Sequence, residues 1–349
     1  MSKLYACYAT SDYYARETGI SMIGFFENNP DYEPDEFFIL DYGIYDESKV
    51  KLDGIASRYG KKITYLPAKQ ILEDIQAKLN IKDFRGSLAT YSRAFIDKIM
   101  PEYVNKLFYI DSDTVVTGSI SELKSFDMPV ECMAGIYSTT YSKAIADGKL
   151  QLYSGNSHYY GCGIVLFNLH NWRERGCYDK IAAMLKVKKE LPCADQTLIN
   201  NALPETCFKK LPLKYNYTSH IFSATFERHY LENSKCYSNE EMAEAITNPV
   251  VTHYPGRPID RPWYEKCTSR QRAQYFKYKP LSPWSNDALM KNPQSSNGFR
   301  NTFSSFIHGL ETKSALYPLL VIINSIRSIT GPLLRLAGIF PQLPKEGVE

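Results

Sequence analysis

Apolar runs alternate with amphipathic stretches along the first half of the chain, and the two periodicities separate strands from helices. Leu4 to Thr10 reads as a first strand, closed by a polar Ser11-Asp12 turn. A helix is predicted from about Tyr14 to Glu27, stopping at Asn28-Asn29-Pro30. Phe37 to Leu40 is a second strand, Asp46 caps a helix ending at Gly60, and Ile63 to Leu66 is a third strand before another helix. Ser87 caps a helix running to Met100 and closed by Pro101. Next comes KLFYIDSDTVV, Lys106 to Val116, whose aromatic and β-branched residues mark a buried strand. Strands alternating with helices of this length predict βαβ units, a mostly parallel sheet and the α/β class.

Beyond Val116 the order is less regular. Cys132 to Ile136 and Gly163 to Phe167 read as strands, and Thr139 to His158 as a polar, irregular loop long enough to cover a site. Helices follow over Asn168 to Arg175, Tyr178 to Glu190 and Ala194 to Leu203. A short strand, Val250 to Thr252, ends at His253 and a Pro- and Gly-punctuated loop, YPGRPIDRPW. Asp12, the pair Asp111 and Asp113, and His253 each fall just after a predicted strand. In an open parallel sheet the ligand sits beyond the carboxyl ends of the strands, so these groups point to one site.

The pair Asp111 and Asp113 carries the strongest chemistry. Two neighbouring carboxylates repel each other unless a cation or a shared proton neutralises them, and Mn or Mg suits oxygen ligands best. A neutral imidazole at His253 completes an Asp/Asp/His set. Asp195 and Gln196 fit either a helix cap or a functional pair. Arg93 lies within a predicted helix, and Arg261 in a Pro-bounded loop where its charge could face a phosphate. DSDTV also fits the Asp-x-Asp-x-Thr/Val signature of haloacid-dehalogenase-like phosphatases. Against that reading, at least three strands precede it and no downstream GDxxxD pair is present.

Composition adds bounds. Hydrophobic residues at 44% and charged ones at 23% describe a globular chain of 349 residues, and 27 tyrosines offer stacking surfaces for a sugar or a base. The net charge of +3 conceals an asymmetry: eleven Lys or Arg lie from Lys266 onward against four acids. The eight cysteines form no CxxC pair and no zinc-like spacing, and are expected to be small buried hydrophobes in a reducing cytosol. The amino terminus has no signal-peptide core, and no stretch suits a transmembrane helix.

Several segments together resemble the retaining family 8 glycosyltransferases, which include lipopolysaccharide galactosyl- and glucosyltransferases and, more distantly, glycogenin. They are ATSDYYARETGISM, SLATYSRAFI, LFYIDSDTVVTGSISEL, YYGCGIVLFNLHNWRERG, ADQTLINNAL with LPLKYNY, and VVTHYPGRPIDRPW. The resemblance covers roughly Leu4 to Lys266. It implies a GT-A fold, a UDP-sugar donor, Mn at the diphosphate, and a glycan, glycolipid or glycoprotein acceptor; no nucleic acid is expected. It assigns Asp111, Asp113 and His253 to the metal. Ala9, Thr10, Asp12 and Tyr13 belong to the uridine loop, Ser112 to the donor site, and Gly256 and Arg261 to the diphosphate clamp. Arg93 is implied to reach the donor, and Asp195 and Gln196 to lie beside its sugar. Gln196 would be a poor nucleophile, which favours a front-face route in which the departing phosphate takes the acceptor's proton. Three departures from the family pattern bear on the choice of sugar: Thr10 replaces an Asp, Gly161 an Asn and Arg261 a Lys, in a loop two residues longer.

The catalytic domain is expected over residues 1–279, with a linker and tail over 280–349. Leu316, Leu319, Leu320, Ile323 and Ile326 recur at helical spacing, Gly331-Pro332 interrupts, and Leu333 to Phe340 forms a second apolar patch. Two readings fit: a helix packed on the core, or an amphipathic basic segment on an anionic bilayer that makes the protein peripheral at the cytoplasmic face.

Overall fold

The structure is a computed structural model that describes residues 3–81, 87–187, 191–218, 236–256, 258–267, 269 and 271–293. A seven-stranded sheet of order β3-β2-β1-β4-β7-β6-β8 organises it. β1 (Leu4–Thr10), β2 (Glu36–Asp41), β3 (Lys62–Leu66) and β4 (Lys106–Asp111) run parallel. β7 (Ile164–Asn168) lies antiparallel between β4 and β6 (Met133–Gly135), and β8 (Phe208–Lys210) is parallel to β6. Both faces of the central strands are covered, so their sequences read as continuous apolar runs rather than alternations. Phe37 to Leu40, Leu107 to Ile110 and Ile164 to Phe167 are buried throughout. Each large side chain among them contributes roughly 1.5–3 kcal/mol by leaving water.

The chain moves outward from β1 to β3, then returns to place β4 on the other flank of β1. The order therefore reverses between β1 and β4, where Ala9 is in register with Asp111. A crevice opens at such a switch point beyond the carboxyl ends of the strands. A smaller sheet contains β5 (Thr114–Val116) paired antiparallel with β9 (Val251–His253), His253 opposite Thr114. Helix α1 (Ala15–Asn28) packs against β5 so closely that a Cβ at Gly24 would lie 2.3 Å from the Val116 carbonyl oxygen. Only glycine fits there. Helices α2 (Asp46–Arg58) and α3 (Ala68–Leu79) follow β2 and β3 as expected, although Asp46 is the first helical residue rather than the cap.

Two expectations are corrected. The helix anticipated from Ser87 to Met100 is broken into a 3-10 turn, Ala89–Tyr91, and a short helix α4, Ile96–Ile99. Hydroxyl groups compete with the helical ladder there: Ser87 Oγ accepts from Ala89 N, and Ser92 Oγ donates to the Ala89 carbonyl. The segment expected to be an irregular loop after Ser138 begins with a helix over Thr139–Ala146.

The described chain divides into two compact units. The first holds Met1–Tyr217, Cys236–His253 and Lys277–Asn286, and the second includes Tyr254–Phe276. The returning segment is tied into the first unit by Trp284, buried over Gly19, and by Arg58 Nη1 donating to the Leu281 carbonyl at 2.8 Å. The domain boundary expected at 279/280 falls inside that segment. The second unit is built around aromatic rings: Trp263 lies 6.1 Å from Tyr254 and 6.0 Å from Tyr275, and Tyr254 Oη donates to the Gln271 carbonyl. Among the described residues no helix is long and apolar enough to cross a membrane. The apolar tail, from Leu316 to Phe340, lies outside the described residues.

Candidate active site

Strand β4 is buried up to Ile110 and delivers Asp111 at its end; a tight turn then brings Asp113 back beside it. Ser112 Oγ donates to the Ala9 carbonyl and so fastens this turn to the end of β1. From the small sheet, His253 presents Nε2 at 3.1 Å from Asp113 Oδ1 and 4.0 Å from Asp111 Oδ2. One ligand atom from each of the three residues lies within 4.8 Å of the others. Burial pushes the Asp111 carboxyl up to about 6 against the pull of Arg93, and the Asp113 charge adds to the rise. A divalent cation would relieve that crowding. The far nitrogen of His253, Nδ1, lies 3.0 Å from Asn216 Oδ1. With its proton donated there, Nε2 keeps a lone pair for a metal. The set fits an Mn or Mg ion.

The floor of the site is the segment Gly161 to Gly163. Asp111 N donates to the Gly163 carbonyl at 3.1 Å. A Cβ on Gly163 would lie 2.4 Å from His253 Cε1 and 3.1 Å from Asp111 Oδ2, so the ligand set closes only over a glycine. The residue between, Cys162, is held at both ends of its peptide. Its N–H donates to Gln196 Oε1 at 3.1 Å, and its carbonyl accepts from Arg93 Nη1 at 3.0 Å. Asn200, one turn beyond Gln196, donates to the Tyr160 carbonyl and accepts from Tyr160 N.

Arg93 occupies the centre. Its Nε and Nη2 grip the two oxygens of Asp195 at 2.6 and 3.1 Å, while Nη1 reaches both oxygens of Asp111 at 3.1 and 3.0 Å. Nη2 also donates to the Thr90 carbonyl at 3.3 Å. The guanidinium fork is thus engaged with protein acceptors on every nitrogen, and Arg93 positions two carboxylates. Burial raises the Asp195 carboxyl, and Arg93 opposes the rise. Asp195 follows Ala194, a non-glycine residue at φ +48°. Such left-handed strain persists where surrounding structure over-determines it, commonly at functional sites. The helix Ala194–Ala202 carries Asp195 and Gln196 in its first turn.

Beside this cluster lies a cleft of about 640 Å³ whose walls include Ala9, Thr10, Tyr14, Tyr42, Lys69 and Arg93, with Asp111 to Asp113 at its edge. The predicted base loop divides. Thr10 Oγ1 accepts from Thr18 and donates to the Ser11 carbonyl, so it is tied inward at the wall. Asp12 Oδ1 accepts from Tyr45 N, while Tyr13 is 55% exposed and absent from the lining that Tyr14 joins. Gly256 and Arg261 belong to the second unit. There Gly256 takes φ +105°, and Arg261 Nε donates to the Tyr254 carbonyl with its guanidinium over the Trp263 ring.

Sequence reasoning missed Asn216, Cys162 and Gly163. The GCG triplet before an apolar strand carried a signal, since paired glycines mark close backbone approach. Nothing local distinguished Asn216.

The sheet with an acidic pair at its switch point defines the GT-A class of α/β fold. The structure matches galactosyltransferase LgtC, solved with donor and acceptor sugar analogues, at TM-score 0.65 and 17% identity, covering 80% of this chain and 99% of that one. It also matches the WbbM bifunctional glycosyltransferase at TM-score 0.68 and 20% identity, over 82% of this chain but only 51% of that longer one. The chain belongs to glycosyl transferase family 8, whose profile matches residues 6–267. It is similar to the lipopolysaccharide 1,3-galactosyltransferase of Salmonella typhimurium, 23% identical over 73% of this chain and 71% of that protein. The phosphatase reading of DSDTV is thereby left without support, since β4 is the fourth strand and the fold is another.

Proposed function

We propose that this glycosyltransferase moves a hexose, galactose or glucose, from a UDP-sugar to a glycan or glycolipid acceptor with retention of anomeric configuration. The observation that carries the reading is the convergence of Asp111, Asp113 and His253, the first two of which also line the cleft. These three would hold Mn, or Mg in its place, whose Lewis acidity suits a departing diphosphate. The cleft residues Ala9, Thr10 and Tyr14 would take the nucleoside, and the family resemblance is what assigns Arg261 and the backbone at Gly256 to the diphosphate.

Retention by double displacement needs an accessible carboxylate beneath the sugar. Both Asp195 oxygens are engaged by Arg93, and Gln196 offers an amide whose oxygen accepts from Cys162 N. That favours the front-face route, with Gln196 orienting the sugar and Asp195 holding Arg93. The test is a panel of nucleotide-sugars scored for metal-dependent hydrolysis and for thermal stabilisation. We expect a UDP-hexose to score in both and the isolated product to be α-linked by NMR. A β-linked product would remove the retaining mechanism.

The basic, apolar tail supports a peripheral position on an anionic membrane at the cytoplasmic face, where lipid-linked acceptors are made. Deleting Ser314–Glu349 should shift the protein from the membrane to the soluble fraction with donor hydrolysis intact. A truncated protein that unfolds, or still sediments with vesicles, would place the tail in the core or remove it from anchoring.

A further inference from the structure

The cysteines, expected to be dispersed apolar filler, are not all dispersed. Cys132 immediately precedes β6 and Cys207 immediately precedes β8; these strands are parallel with Met133 opposite Phe208, which sets the two cysteines side by side. Cys177 opens the helix Cys177–Val187, delivered by Gly176 at φ +60°. All three are fully buried, and their sulfurs lie within 4.8 Å of one another, the Cys132 and Cys177 pair at 3.6 Å. Thiolate sulfurs bind zinc-like ions at ~2.3 Å, so three around one ion stand about 4 Å apart. The triangle is close to those dimensions, with one side of 3.6 Å and none above 4.8 Å.

The backbone holds it there. Cys132 N donates to the Cys207 carbonyl at 2.7 Å, Asn168 N to the Cys132 carbonyl at 2.9 Å, and Cys207 N to the Pro204 carbonyl at 2.8 Å. The place is also distinctive. β6 and β4 are both antiparallel to β7, so the amino end of β6 lies at the sheet edge opposite to the one bearing Asp111. An all-sulfur set there differs in chemical preference from the oxygen-rich set at the cleft, because thiolates select soft ions.

We propose that Cys132, Cys177 and Cys207 form a structural site for one soft, thiophilic metal ion, separate from the catalytic ion. Binding replaces the three thiol protons, which leave to solvent, and yields three metal-bound thiolates. The ion clamps the start of a helix to the starts of two strands. Among the described residues no fourth His, Cys, Asp or Glu joins the group, so the site favours ions that accept three sulfurs.

Cadmium is the probe. The full chain is refolded from denaturant under reducing conditions with or without one equivalent of Cd²⁺, then desalted into excess Mg²⁺. We expect one retained Cd²⁺ per chain, a sulfur-to-cadmium charge-transfer band in the ultraviolet and a raised Tm. Asp113→Asn should keep all three, whereas Cys132→Ser/Cys177→Ser and the single variant Cys177→Ala should lose them. A wild-type protein that retains no cadmium or shows no band overturns the proposal without recourse to any variant. So does a band of equal strength in a folded cysteine variant.

Discussion

Replacing Asp113 with Asn should lower sugar transfer by about 100-fold or more while leaving the fold intact, since even outer partners of a metal site cost 10–100-fold when changed. The amide keeps the shape of the carboxylate and removes its charge. Its amide nitrogen can donate to His253 Nε2, which lies 3.1 Å from Asp113 Oδ1, so local packing survives. The metal set loses one of its two negative charges, and affinity for a hard divalent ion falls with it. Binding of Mn²⁺ followed by titration calorimetry, beside transfer measured at saturating Mn²⁺, separates lost affinity from lost chemistry. Near-wild-type turnover by the folded variant would remove Asp113 from the metal site.

Arg93→Met should be the most damaging single change to stability in the site. Arg93 is 9% exposed and holds Asp195, itself 1% exposed, through two hydrogen bonds while also touching Asp111. Removing it strands a buried carboxylate, which in comparable pairs costs about 3–5 kcal/mol. Neutralising the stranded partner should recover part of the loss, so Arg93→Met/Asp195→Asn is expected to unfold at a higher urea concentration than Arg93→Met alone. Arg93→Lys keeps a charge but cannot grip two carboxylates with one ammonium, and should fold better than Arg93→Met while transferring poorly. The unfolding midpoints of the three variants, beside that of wild type, decide it. Equal midpoints for Arg93→Met and the double variant would mean that Asp195 is not held by Arg93.

Strands β1 to β4 were legible because a sheet buried on both faces writes uninterrupted apolar runs into the chain, and its polar interruptions mark strand ends. Asp111, Asp113 and His253 were legible for the same reason: each stands where such a run stops. The helix anticipated from Ser87 breaks where Ser92 Oγ donates to the Ala89 carbonyl, an acceptor that a helical ladder would use.

By itself, the sequence determined the α/β class, the order of the first elements, the acidic pair with its imidazole, and the membership signalled by a series of motifs in fixed order. These properties live in periodicity and local spacing, which a chain carries before it folds. Only the tertiary structure decided that Arg93 turns inward to clamp Asp195 and Asp111, that Asn216 fixes the outer nitrogen of His253, and that Gly163 leaves room for the ligand set. Only it brought Cys132, Cys177 and Cys207 together from positions far apart in the chain. Contacts of that kind depend on which strands become neighbours across the sheet and where a backbone approaches too closely for a side chain, and neither leaves a periodic trace in the sequence.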